Sequence, residues 1–339
     1  IAEQVKLPSQ FAALAPKVRD FCERRLFVGS PVKLDDPEIV RALATPLAHY
    51  LTTKTFVEVL RKAAIAEHGT RIQAVLTIGS IGLSAAQMQR MPALRLVCAL
   101  GAGYENIDVA HAQAHGIAVG NGAGTNDDCV ADHAMGLLIA SVRGLVRLDR
   151  ATRDGVWRTA MPLPPNVSHK RLGILGMGAI GAKIAQRALG FEMEIGYHNR
   201  SQRSGLPHRY FGDLLSLAQW ADVLLVATPG GPGTRHLVNA QVLDALGPQG
   251  HLVNIARGSV VDTAALAAAV REGRLAGAGL DVYESEPAPP AELLDLDAVV
   301  LTPHVGGWSP EAVQASVDRF IANMRCHLEG RPLVSPVTA

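Results

Sequence analysis

The chain has 339 residues, 48% of them hydrophobic and 19% charged, with a formal net charge of +1. That balance suits a folded protein of about two domains and excludes a disordered one. Near-neutrality sets up no field for a polyanion, so neither a nucleic acid nor a membrane surface is an expected partner.

The elements alternate along the chain. Residues 1–50 carry little pattern. A helix is expected over Phe56–Glu67, a strand over Ala74–Ile78, a helix over Ser84–Arg90, a strand over Leu94–Leu100, a helix over Val109–His115 and a strand over Ile117–Val119. The glycine-rich crossing Gly120–Gly124 precedes a long helix expected from Asp128 to Arg147. From 171 onward, short apolar runs at Arg171–Leu175, Met193–Tyr197, Val223–Ala227, His251–Ile255, Ala276–Val282 and Ala298–Thr302 read as buried strands. Helical stretches at Ile180–Leu189, Leu214–Trp220, Ala240–Leu246 and Thr263–Arg271 lie between most of them, with Asp213 and Asp262 as N-caps of two. A last helix is expected over Pro310–Glu329, after the glycine pair Gly306-Gly307. Apolar strands alternating with helices specify a parallel sheet covered on both faces.

The four cysteines, Cys22, Cys98, Cys129 and Cys326, form no C-x-x-C pair, so neither a metal site nor a disulfide framework is expected. Scattered thiols fit a reducing cytoplasm. No apolar run reaches the roughly 18 residues of a membrane span; the best, 134–142, is flanked by Asp132, His133 and Arg143. The amino-terminal stretch lacks a signal-peptide pattern, and a cytoplasmic location is expected.

Gly176-Met177-Gly178-Ala179-Ile180-Gly181 follows a strand and opens a helix. In a chain with 33 glycines a lone G-x-G-x-x-G is weak, but the strand–turn–helix–strand context within about 30 residues makes it a dinucleotide loop. Its glycines allow the tight turn, the approach of backbone to a pyrophosphate and close helix–sheet packing, while the helix N-terminus offers N–H groups and partial positive charge. About 20 residues on, a carboxylate normally holds the adenosine ribose. Here the strand ends instead in His198-Asn199-Arg200-Ser201, and the nearest acids, Glu192 and Glu194, sit at or inside the strand, not at its carboxyl end. A carboxylate repels a 2′-phosphate and a guanidinium binds one, so NADP is the expected cofactor, with NADPH preferred over NADH.

Three later motifs each set a charged or titrating residue beyond an apolar strand: VNIARG at 253–258, GLDVYESEP at 279–287 and LTPHVGG at 301–307. Ligands of open α/β sheets bind outside the carboxyl ends of strands. An arginine, a carboxylate and a histidine placed there suit hydride chemistry on a keto acid: histidine supplies a proton near neutrality and arginine stabilises oxyanion charge.

With GAGYENID at 101–108 and Thr228-Pro229, these pieces make the chain resemble the D-isomer-specific 2-hydroxyacid dehydrogenase family over most of residues 75–310. The YHNRS turn resembles its NADPH-dependent glyoxylate/hydroxypyruvate reductase branch. The resemblance implies an α/β protein of two Rossmann-like doubly wound parallel-sheet domains with the active site in the cleft between them. It implies a substrate domain over 1–121, a dinucleotide-binding domain over 122–306 and a return segment of the first domain over 307–339. It further implies reduction of a small 2-oxo acid, glyoxylate or hydroxypyruvate, to the D-2-hydroxy acid. Arg257 then clamps the substrate carboxylate and polarises the keto oxygen, His304 is the acid/base, and Glu286 orients it. The backbone of Gly79 and Ser80, with Gly103 in a second loop, holds the substrate carboxylate. Cofactor contacts fall to Gly176, Met177, Gly178, Ala179, Ile180, Gly181, Asn199, Arg200, Ser201, Thr228, Pro229, Thr234, Ile255, Ala256, Gly306 and, on the nicotinamide side, Asp281. Trp308 and Met161 are candidates for the far end of the substrate pocket. A homodimer is expected, through the long helix and its flanks. Two other readings stay open: a nucleotide-sensing corepressor-like interaction protein, since fold alone does not fix function, and a dehydrogenase for a larger 2-hydroxy acid.

Overall fold

The computed structural model describes residues 65–338. Cys22 and most of the helix expected over 56–67 lie outside them. By internal contacts the chain forms two compact units. One comprises the described residues up to Ala123 and those from Val313 on; the other is Gly124–Ala312. The breaks therefore fall a few residues beyond the expected 121/122 and 306/307 borders.

The first unit carries a parallel sheet of three strands, β1 (Ala74–Ile78), β2 (Leu96–Leu100) and β3 (Ala118–Gly120), in that order. Helix α1 (Ala85–Gln89) follows β1 and α2 (Val109–Ala114) follows β2. Ser84 and Gln87 exchange side-chain and backbone bonds as a capping box for α1, and Asp108 caps α2 by accepting from His111 N. The carboxyl-terminal segment closes the β3 edge: Val337 N donates to Val119 O, and Ser335 is held by the buried Asn323.

The second unit opens with α3 (Asp127–Arg143) and α4 (Leu145–Arg153). The sequence predicts one helix here. Gly144, at φ 62° and ψ 35°, ends it in the left-handed region that favours glycine, and the chain turns by 61°. α3 buries nine residues, whereas α4 buries none. A sheet of seven strands follows, in the order β10-β9-β8-β7-β4-β5-β6. These are β4 (Arg171–Leu175), β5 (Glu194–His198), β6 (Arg209–Tyr210), β7 (Val223–Val226), β8 (His251–Asn254), β9 (Gly277–Leu280) and β10 (Val299–Leu301), every pairing parallel. Their connections carry α5 (Ala179–Leu189), α6 (Leu214–Trp220), α7 (Ala240–Leu246) and α8 (Thr263–Arg271). Every residue of β7 and β8 is buried, as a sheet covered on both faces requires. Asp213 and Asp262 cap α6 and α8, accepting from Ser216 N and Ala265 N. α9 (Pro310–Leu328) leads back into the first unit. Strand order reverses beside β4, whose neighbours are β5 and β7, and this switch point is where α/β sheets bind ligands.

Among the described residues no single helix is long and apolar enough to cross a membrane. Cys98 and Cys326 are buried free thiols, and burial pushes Cys98 up to about 12. Both act as small hydrophobes.

Candidate active site

The loop between β4 and α5 is built by its glycines. Gly176, at φ 103°, occupies a left-handed turn, and a Cβ there would stand 2.7 Å from Thr228 N. A Cβ on Gly181 would stand 2.3 Å from Gly176 O, so only glycine lets α5 pack this closely. Gly178, the N-cap of α5, has nothing within 4 Å of its would-be Cβ. Open space at Gly178 thus adjoins a helix N-terminus, the cradle a pyrophosphate needs. Met177 is fully buried beneath the loop, Ala179 is exposed and Ile180 half-buried.

The end of β5 reaches this loop through a residue of unexpected function. Asn199 Oδ1 accepts from Met177 N at 2.7 Å, so the amide braces the loop itself. Arg203, absent from the sequence-derived set, donates from Nη1 to Met177 O at 2.6 Å, and its backbone is tied to the Tyr197 hydroxyl. Arg200 and Ser201 stand exposed between them. Two guanidinium-bearing residues and no carboxylate therefore occupy the turn beside the loop. Beyond β7, Thr228 is half-buried and Pro229 exposed. Thr234 turns its hydroxyl onto Pro229 O at 2.9 Å and so shapes its own turn.

After β8, Ile255 and Ala256 are buried. Asn254 ties the turn at both ends, accepting from Ala256 N at 3.0 Å and donating to Arg257 O at 3.0 Å. Arg257 donates to Ala256 O at 2.6 Å. Its stem passes over Gly230, where a Cβ would lie 2.6 Å from Arg257 Cγ. On the other side Gly258 abuts the Tyr283 backbone.

The loops after β9 and β10 form one network. His304 Nδ1 and Glu286 Oε2 are 2.8 Å apart, while Glu286 Oε1 accepts from Tyr283 N at 2.8 Å. The bond to Glu286 raises the pKa of His304 above the ordinary histidine value, and burial and the nearby Arg257 oppose without cancelling it. The imidazole keeps 39% of its side-chain surface exposed. His304 itself sits at φ 55°, an uncommon conformation for a non-glycine residue. Asp281 supports it. Its backbone carbonyl accepts from His304 N at 2.8 Å. Its buried carboxylate accepts from Thr302 Oγ1 at 2.6 Å, Val305 N at 2.9 Å and Gly306 N at 2.8 Å. His133 Nε2 lies 3.3 Å from the same carboxylate and 2.8 Å from Thr302 Oγ1. Burial pushes the Asp281 carboxyl up, but these bonds outweigh it and hold it below the usual range. A Cβ on Gly306 would stand 2.9 Å from Asp281 Oδ2.

In this arrangement an arginine beyond β8, a carboxylate beyond β9 and a histidine beyond β10 stand at the ends of three successive strands, on the sheet that carries a glycine loop at a helix N-terminus. The family model for the NAD binding domain of D-isomer specific 2-hydroxyacid dehydrogenases matches residues 135–306. A glyoxylate/hydroxypyruvate reductase of Arabidopsis thaliana is 40% identical over 271 residues, covering 80% of this chain and 87% of that protein. The chain belongs to this family. A hydroxyphenylpyruvate reductase of Plectranthus scutellarioides is 39% identical over 267 residues, 78% of this chain and 85% of that protein. Among solved structures, an NADPH-dependent glyoxylate/hydroxypyruvate reductase from Sinorhizobium meliloti, in complex with NADP and malonate, is 38% identical with a TM-score of 0.75. That likeness covers 79% of this chain and 84% of the other.

The first unit holds the loops of Gly79, Ser80 and Gly103. Gly79 and Gly103 pack backbone to backbone; a Cβ on Gly79 would stand 2.5 Å from Gly103 O. Asn106, missed in the sequence, donates its amide to Gly79 O at 2.9 Å and Ser80 O at 3.1 Å. Ser80 is exposed. Trp308, 47% exposed, follows the His304 loop, and Met161 lies half-buried in a separate segment after α4. Tyr283 was also missed, although it stands inside GLDVYESEP. Its hydroxyl reaches Thr302 O at 2.5 Å and so joins the loop of Glu286 to the loop of His304.

Proposed function

We propose that this dehydrogenase reduces a small 2-oxo acid, glyoxylate or hydroxypyruvate, to the D-2-hydroxy acid with NADPH. The observation that carries the reading is the His304–Glu286 pair, 2.8 Å apart, with the histidine's pKa raised. Reduction must begin with a protonated donor, and this pair shifts the histidine toward its charged form.

When bound, NADPH supplies a hydride to the keto carbon. Arg257 holds the substrate carboxylate and draws electron density toward the keto oxygen through its planar fork. His304 delivers its Nε2 proton to that oxygen as the carbon–oxygen double bond becomes single, while Nδ1–H stays on Glu286. Glu286 offsets the imidazolium charge beforehand and keeps the ring in one orientation. The loop residues Gly176 to Gly181 suit the pyrophosphate. Arg200, Ser201 and Arg203 suit a 2′-phosphate, and Asn199, in place of a carboxylate, removes the repulsion such a phosphate would meet. Asp281 fixes the loop of His304 through the bonds its carboxylate accepts from Thr302, Val305 and Gly306, and it stands on the nicotinamide side of the cofactor.

The same reading takes the protein as a cytoplasmic homodimer. α4 buries no residue, and the segment after it exposes 68% of Trp157 and 96% of Leu163. Large exposed apolar side chains of this kind suit burial against a second copy. Sedimentation of the parent and of Trp157→Glu tests this; a monomeric parent contradicts it.

A steady-state panel of 2-oxo acids against NADPH and NADH tests the function. Efficient NADPH oxidation with glyoxylate or hydroxypyruvate, and much weaker NADH oxidation, is expected. Equal efficiency with both cofactors removes the cofactor assignment, and no oxidation with either acid removes the activity.

A further inference from the structure

We infer that Glu284, clamped by His236, is a positioning residue that fixes Glu286 against His304. The inference rests on the reading of His304 as proton donor and goes beyond it.

Glu284 lies two residues before Glu286 and points the other way. Its Oε1 is 2.8 Å from His236 Nε2 and 3.4 Å from an Arg235 guanidinium nitrogen. Its Oε2 accepts from Thr263 N, the first residue of α8, at 3.3 Å. One carboxylate thus ties three segments together: the connection after β7, the start of α8 and the loop of Glu286. His236 is itself locked. Its N–H donates to Ser259 O at 2.8 Å, its Nδ1 lies 3.8 Å from the Asp262 carboxylate, and its backbone sits at φ 50°. A histidine in the left-handed region persists only where its surroundings determine it. Burial pushes the Glu284 carboxyl up, but the bonds from His236 and Thr263 prevail and hold it below the usual range, so it is ionised when it makes them.

The link from this clamp to the reaction is short. Gly258, next to Arg257, packs on the backbone of Tyr283 and Glu284. Tyr283 N then holds Glu286 Oε1, leaving Oε2 for His304. Only Ser285 separates the clamped Glu284 from the paired Glu286 along the chain. The charged groups around His304 are Glu286, Arg257 and Asp281; Glu284 is not among them and acts through the loop. A bulk-stability role would leave the His304 titration alone, whereas a positioning role would not.

The test has two independent readouts on Glu284→Ala, Glu284→Gln and His236→Asn, the last chosen because asparagine tolerates the left-handed backbone. The first is the imidazole titration of His304, followed by NMR and assigned by its loss in His304→Gln. It needs no turnover, so it stands even if the substrate assignment fails. The midpoint is expected to fall toward the ordinary value in Glu284→Ala and His236→Asn, with Glu284→Gln intermediate because it keeps an acceptor for Thr263 N. The second is the pH profile of NADPH-dependent reduction. Glu284→Ala is expected to lower kcat by about tenfold or more near neutrality, since small misplacements of reacting groups are costly, with the KM for NADPH unchanged. A His304 midpoint that matches the parent in folded Glu284→Gln and Glu284→Ala overturns the inference, whatever the turnover. A shifted midpoint with no substrate turnover in the parent keeps the clamp and rejects the substrate.

Discussion

The loop after β4 and the loop after β10 lie on one sheet and are built by opposite means. The first is made of backbone: Gly176 and Gly181 let the turn and α5 close up where a Cβ would clash, and Gly178 leaves open space at the helix N-terminus. The second is made of side chains. Asp281, Thr302, Tyr283 and Glu286 surround a histidine held in the left-handed region. A phosphate cradle needs room and dipoles, which the chain supplies by omission. A proton donor needs one tautomer, one orientation and a tuned affinity for its proton, which take many partners. The first loop should therefore be sensitive to added bulk and the second to lost bonds.

The largest effects belong to the second loop. His304→Ala removes the proton donor and is expected to cost about 100- to 10,000-fold in kcat for reduction, with NADPH binding measured by fluorescence unchanged. Turnover within a few-fold of the parent would dismiss His304. Arg257→Lys keeps the charge and loses the planar fork, and a fall of about 10²–10³ in kcat/KM is expected, on the scale of losing an oxyanion donor. The contrast sharpens with the cofactor turn. Arg200→Ala should weaken NADPH by about 1.5–3 kcal/mol, the contribution of one charge-assisted bond, and leave the KM for NADH nearly untouched. An equal loss with both cofactors would mean the arginine only shapes the turn. Smallest is Tyr283→Phe, which loses the hydroxyl bond to Thr302 O. About 0.5–1.5 kcal/mol of stability should go, read as a lowered Tm, together with a modest fall in kcat.

The two loops also differ in how far their sequence discloses them. Strands β1 and β4 and helices α6, α7 and α8 have the bounds that hydrophobic periodicity implies. The glycine loop was legible because its physics is local: a tight turn, a close approach and a helix start, all within six residues. β6 was missed because two residues carry no period. The expected helix through Arg147 overlooked Gly144, since a single glycine inside an apolar run does not disclose that it adopts a positive φ. The motifs after β8, β9 and β10 were visible as strand-end residues, but their bonding was not. Asp281 has its carboxylate turned onto Thr302, Val305 and Gly306, partners more than 20 residues away that only the parallel pairing of β9 and β10 brings near. Arg203 and Asn106 escaped notice for the same reason, because each bonds to a loop from another part of the chain.

The central claim is that Glu286 keeps His304 protonated for reduction. The sign follows from the raised histidine value. Below the ordinary pKa of about 6.5 the imidazole is charged with or without a partner. Between that value and the raised one, only the partner keeps it charged. The stabilisation from the pair is likewise present at low pH and lost as pH rises through the folded value. Glu286→Gln retains the shape and removes the charge. The deciding measurement is kcat/KM for glyoxylate reduction against pH, at saturating NADPH, in the parent and in Glu286→Gln. The variant's alkaline limb is expected at lower pH than the parent's, with activity near neutrality reduced. Coincident alkaline limbs would show that Glu286 does not tune His304 and would contradict the account.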